Sequence, residues 1–228
     1  RLTQLNSVHQ HTAAEIYSKG LHFLQSGDFS EAALCIEKAI ALNPSNVQAF
    51  FNLGIAKRAL RLHEHAIENF EKAISLDAEY APAYYALGVT LNEIGQAQKA
   101  LNALGTCIEL APNHKLALFV IGEIFFDHHD HQNSREYLER YLEIEPGDSQ
   151  GARMQLAALG VVNNPETCGE AFLQHQYSRK ARSWDLQIGY EAHRIVADKY
   201  NSLSENRAAR ILDAGCGTGL VGEILRAD

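Results

Sequence analysis

The sequence lacks any unbroken apolar run of about 18 residues, so no segment reads as a membrane span. It has no charged start followed by a short apolar core, and so no visible secretory signal. A basic excess is missing as well. Twenty Lys and Arg stand against 28 Asp and Glu, a formal net charge of −8, which argues against nucleic-acid binding as the main role. The four cysteines, Cys35, Cys107, Cys168 and Cys216, show no CxxC spacing. They read as reduced thiols of a cytoplasmic protein rather than a disulfide framework. What remains is an ordinary globular composition, 46% hydrophobic and 21% charged, in a chain long enough for one large or two modest domains. The chain begins at Arg1 without Met, which predicts a trimmed N-terminus.

A period is present. Gly20, Gly54, Gly88 and Gly122 are each 34 residues apart. So are Ala32, Ala66, Ala100 and Ser134, and so are Leu42, Leu76, Leu110 and Ile144. Pro44, Pro112 and Pro146 share one grid position, and Ala78 takes it in the second unit. Each unit reads as two helices. Ile16, Gly20 and Phe23 recur at helical spacing, Ser26-Gly27-Asp28 forms a turn, and Ala32, Ile36, Ala39 and Ile40 make a second apolar stripe. Small residues in the Gly20 and Ala32 columns let the two helices approach closely, and Pro44 stops the second.

This pattern resembles the tetratricopeptide repeat, whose length is also 34. The units are 13–46, 47–80, 81–114 and 115–148, after an N-terminal segment 1–12. The aromatic-or-Leu column reads Phe23, Lys57, Leu91, Phe125, and Lys57 is expected to run its ammonium out to solvent. A stack of such units needs its last apolar face covered, and 149–160, with Ala152, Leu156 and Leu159 on one side, reads as a capping helix.

The resemblance implies a concave groove lined by the fifth, ninth and twelfth positions of each unit. The fifth reads Tyr17, Phe51, Tyr85, Phe119; the ninth Leu21, Ile55, Val89, Glu123; the twelfth Leu24, Arg58, Asn92, Phe126. An aromatic and aliphatic ladder of this kind fits an apolar helix or extended segment of a partner protein or peptide. Equally, residues 1–12 or the segment after 160 could cover it, since so much apolar surface is seldom left bare. Family members that grip a C-terminal carboxylate use Lys, Asn and Arg in these columns, a set this array lacks.

His128-His129-Asp130-His131 falls where other units carry their inter-helix turn. Neighbouring residues rarely converge on one ion, so a solvated turn is expected and no metal site. Cys35 and Cys107 fall on second helices and read as packed core thiols.

After 160 the repeat grammar ends. Gly160-Val-Val-Asn-Asn-Pro-Glu-Thr reads as a linker within a second region, 161–228. Asn164 and Pro165 can open a helix. Then Arg210-Ile-Leu-Asp213 reads as a short buried strand running into Ala214-Gly215-Cys216-Gly217-Thr218-Gly219 and a helix. Bare glycines let the backbone approach a ligand, and helix-start amides offer donors. The run Ile211–Gly219 looks like the first motif of class I S-adenosylmethionine methyltransferases, which implies a transferase with S-adenosylmethionine as cofactor. Carried over, the cofactor-binding positions are Asp213, Gly215, Cys216, Gly217 and Gly219. The lead-in aromatics Tyr177, Trp184 and Tyr190 are candidates to cover the cofactor or, alternatively, to pack in the core. A nicotinamide or flavin site would show G-x-G-x-x-G, whereas here the spacing is G-x-G-x-G.

The expected fold is therefore mostly α: a right-handed helical-hairpin solenoid of four repeats and a capping helix. A helical lead-in and the first βα unit of an incomplete α/β Rossmann-like methyltransferase domain follow. Stopping at Asp228, this chain is expected to be catalytically inactive by itself, with the activity belonging to a longer polypeptide. The alternative is an interaction scaffold with a vestigial methyltransferase-like domain. Catalytic residues, methyl acceptor and oligomeric state are not legible.

Overall fold

A computed structural model describes residues 2–161, with side chains from Thr12 onward. The chain divides into two compact units, Arg1–Pro146 and Gly147–Asp228. The described residues form helices and no strand. The predicted strand, glycine loop and aromatic lead-in, including Tyr177, Trp184, Tyr190, Asp213, Gly215, Cys216, Gly217 and Gly219, lie outside the described residues.

The first unit is a helical-hairpin solenoid. Its helices are α1 (Leu2–Ser26), α2 (Phe29–Leu42), α3 (Val47–Ala59), α4 (His63–Leu76), α5 (Ala81–Glu93), α6 (Ala97–Leu110), α7 (Lys115–Asp127) and α8 (His131–Ile144). They fall two to each 34-residue period. α1 is longer than the other first helices because it includes residues before position 13.

The period is enforced at the helix crossings. A Cβ on Gly20, Gly54, Gly88 or Gly122 would lie 2.7, 2.5, 2.6 or 2.8 Å from Ile36, Phe70, Leu104 or Leu138. Each of those large residues stands sixteen positions after its glycine and is wholly buried. One helix of each hairpin therefore supplies a hole and the other a knob, and the close packing leaves no space for a methyl group. Ala32, Ala66 and Ala100 are buried completely between the helices. Ser134 takes that column in the last hairpin, and its hydroxyl donates to the Gly122 carbonyl at 2.9 Å. Burying the polar group is tolerable because it is hydrogen-bonded.

The turns follow one template. Gly27, Arg61, Gly95 and His129 occupy the same column, and all have positive φ, from 60° to 83°. The hairpin turn requires a left-handed residue there, natural for glycine and strained for Arg61 and His129. His129 thus stands in the turn that the repeat register assigns to it. Second helices stop in register even without proline. α4 ends at Leu76, where the Asp77 carboxylate accepts the Glu79 amide at 3.0 Å, doing locally what Pro44 and Pro112 do elsewhere.

In the second unit, α9 spans Ala152–Ala158, shorter than the predicted 149–160. The residues before it form its cap: Asp148 accepts the amides of Gly151, Ala152 and Arg153 at 2.9, 2.6 and 3.0 Å. Ala152 and Leu156 are buried.

Candidate functional site

The first helices of successive hairpins are α1, α3, α5 and α7, and they carry the columns assigned to the groove. Neighbouring first helices are tied by contacts between residues 35 apart, one period plus one. Asn52 donates to the Tyr17 hydroxyl at 2.5 Å, joining α3 to α1. Arg58 donates through Nε and Nη2 to both carboxylate oxygens of Glu93, at 3.0 and 2.9 Å, joining α3 to α5. Neither Asn52 nor Glu93 is marked by the fifth, ninth and twelfth columns. Only the 35-residue offset between polar residues could have singled them out.

Tyr17, Phe51 and Tyr85 are half-buried rungs. The Phe51 ring lies 5.4 Å from Tyr80, edge to face, and 5.9 Å from Phe70. The Tyr85 ring lies 4.7 Å from the imidazole of His114. Tyr80 and His114 share one column with Asn46, the last position of each repeat. That column also opens the next helix. Asn46 accepts the Ala49 amide at 3.0 Å, and His114 Nδ1 accepts that of Ala117 at 3.1 Å. This column thus supplies a capping side chain at Asn46 and His114, and a ring against a rung at Tyr80 and His114.

Leu21, Ile55, Val89, Leu24, Arg58 and Phe126 are half-buried, and Asn92 is exposed. Phe119 departs from the expected ladder. It is 1% exposed, with its ring 5.3 Å from the buried Tyr141. Tyr141 stands in the column that holds Ala39 and Ala73 in earlier hairpins, so a large ring meets Phe119 from the second helix. The fourth rung is interior packing. Glu123, in the ninth column, is also buried.

The electrostatics follow the burial. Desolvation raises the Tyr17 and Tyr85 hydroxyls above the ordinary tyrosine range. Burial pushes the Glu93 carboxyl up, but the Arg58 hydrogen bond and charge outweigh it, and the group ends below its usual range. The same bond holds Arg58 still more firmly charged. Lys57 does not simply reach solvent: its ammonium pairs with Glu37 on α2 at 2.7 Å. Cys107 is buried, which lifts its thiol to about 11. Among the described residues no group of His, Cys, Asp and Glu is arranged to hold a metal ion. His128 Nδ1 lies 2.9 Å from the Ile124 carbonyl oxygen. No helix among the described residues is long and apolar enough to cross a membrane.

Two family models, both for the tetratricopeptide repeat, match residues 17–84 and 69–102. Residues 17–102 thus match tetratricopeptide repeats. No curated protein matches the sequence. Among solved structures, the chain is similar to two crystal structures of MamA. One is 24% identical, with a TM-score of 0.59, covering 78% of this chain and 97% of that one. The other is 26% identical, with a TM-score of 0.57, covering 72% and 96%. The first tetratricopeptide domain of Spaghetti (RPAP3), bound to the HSP90 peptide SRMEEVD, is 23% identical, with a TM-score of 0.50, covering 50% and 91%. The family models thus reach from α1 into α6, and the likeness to solved structures is one of fold.

Proposed function

We propose that the tetratricopeptide array is a protein-interaction module whose groove takes an apolar segment of a partner. The observation that carries this reading is the row of half-buried rungs Tyr17, Phe51 and Tyr85 on consecutive first helices, backed by Ile55 and Val89. Aromatic rings held by Asn52, Tyr80 and His114 are rigid contact surface, which costs little entropy to present. Peptide binding by a neighbour of the same fold is consistent with this use of the surface. The test is a photo-crosslinking side chain at Asn92, read with and without Phe51→Ala and Tyr85→Ala. Crosslinked partner should fall severalfold in both variants. Unchanged recovery would mean that the rungs are internal packing.

A second reading rests on the sequence of residues 211–219. We propose that this segment belongs to an S-adenosylmethionine-dependent methyltransferase domain completed in a longer polypeptide. Gly215, Gly217 and Gly219 would let the main chain approach the methionine end of the cofactor, and Asp213 would orient it. Tyr177, Trp184 and Tyr190 would cover it. The cofactor supplies the methyl group, and the repeats would bring a protein acceptor to it. Calorimetry tests both halves. The longer polypeptide should bind S-adenosylmethionine and lose it on Asp213→Ala, whereas this 228-residue chain should bind weakly or not at all. Micromolar affinity in the present chain would refute the second half.

A further inference from the structure

Among the fifth, ninth and twelfth columns, Arg58 is the single cation. Its fork is already filled: Nε and Nη2 each meet one oxygen of the Glu93 carboxylate. That parallel two-bond arrangement is the one arginine uses to hold a carboxylate ligand. Here the following repeat supplies the ligand. The pair stands beside a rung, for both Arg58 and Glu93 act electrostatically on the Tyr85 hydroxyl. His63 Nδ1, buried and without a hydrogen bond, lies 3.7 Å from Glu93 Oε2 and gives the carboxylate a further polar neighbour. The Arg58 and Glu93 side chains are 31% and 26% exposed, so the pair borders solvent where a bound segment would lie.

We infer that Glu93 is an internal occupant of the groove's anion site and sets the specificity of the groove against segments that end in a free carboxylate. The inference rests on the interaction-module reading above and adds to it the chemistry of the partner. An incoming carboxylate has to displace Glu93, which is held beside Arg58 by the fold and pays no cost of association. The displaced Glu93 then repels the newcomer. An uncharged apolar segment meets no such competitor: it covers Phe51, Ile55, Tyr85 and Val89 and leaves the ion pair intact. The occupant that fits is therefore a neutral apolar stretch within a partner chain, rather than an acidic tail.

The test uses the full 228-residue chain and two fluorescent heptapeptides with the same apolar core. One carries two glutamates and ends in a free aspartate; the other is uncharged and amidated. Anisotropy titrations compare wild type, Glu93→Gln and the Arg58→Gln/Glu93→Gln double variant. Glu93→Gln should bind the acidic peptide roughly tenfold more tightly than wild type does, the size expected of a new charge-assisted contact. Added salt and the double variant should both erase that gain. The amidated peptide should change by less than about threefold between wild type and Glu93→Gln. If the amidated peptide binds and Glu93→Gln gains nothing for the acidic one, the inference is overturned and the module reading stands. If neither peptide binds any variant and Tyr85→Ala leaves crosslinking unchanged, the module reading fails and takes the inference with it.

Discussion

The knob-and-hole crossing gives Gly54→Ala a sign that can be worked out in advance. A Cβ there would stand 2.5, 2.7 and 2.9 Å from three atoms of the wholly buried Phe70 ring. Real Cβ atoms do not come that close, so the ring or a helix has to move, at about 1–3 kcal/mol for overpacking. Alanine in place of glycine inside a helix returns about 1 kcal/mol of propensity. The net expectation is a loss of about 0–2 kcal/mol. Gly105, inside α6, is the control, because its added Cβ meets nothing within 4 Å. Gly105→Ala should therefore stabilise by about 0.5–1 kcal/mol. Urea unfolding followed by circular dichroism measures both. A third background decides the cause. With Phe70→Ala the ring is gone, and Gly54→Ala should then stabilise as Gly105→Ala does, giving a coupling of about 1–3 kcal/mol. If Gly54→Ala raises stability in the wild-type background as much as Gly105→Ala does, the packing argument is wrong.

Three further outcomes follow from the caps, the core and the turns. Burial lowers the His114 pKa below its ordinary 6.5, and the neutral ring is what accepts the Ala117 amide. The unfolded chain therefore binds the proton more readily. The cap's contribution is full above about pH 6.5 and is lost as pH falls through the lower folded value. Thermal melts of wild type and His114→Asn should draw apart between pH 7.5 and pH 5 in favour of the non-titrating variant; parallel pH profiles would refute this. With its thiol lifted to about 11, Cys107 in a Cys35→Ser/Cys168→Ser/Cys216→Ser variant should react with a thiol reagent at pH 8 at least roughly a hundredfold more slowly folded than unfolded. Equal rates would place that side chain outside the core. His129 has a φ of 60°, so His129→Gly should stabilise by about 0.5–1 kcal/mol despite the greater freedom of the unfolded glycine chain, and a clear loss by urea unfolding would remove the strain assigned to that turn.

The repeat register was written in the sequence because each period must solve the same local problem. A helix crossing needs a small residue opposite a large one, and a short turn needs a left-handed residue. The Gly20 and Ala32 columns and the turn at Ser26-Gly27-Asp28 therefore announce the hairpins in the sequence alone. The groove columns were legible for the same reason, since equivalent positions on equivalent helices share a face.

What the period cannot carry is how a residue in one repeat is answered by a residue in another. Arg58 reads as a groove cation until Glu93 closes its fork, and Lys57 as a solvent-seeking misfit until Glu37 meets it. Phe119 reads as a fourth rung, yet lies inside with Tyr141 against it. Tyr80 and His114 belong to no groove column, yet they lie against rungs 29 residues away in the chain. The sequence by itself determined the helical hairpins, because those depend on spacing within 34 residues. Only the tertiary structure decided which side chains remain available to a partner, because availability depends on distances between repeats that no single period encodes.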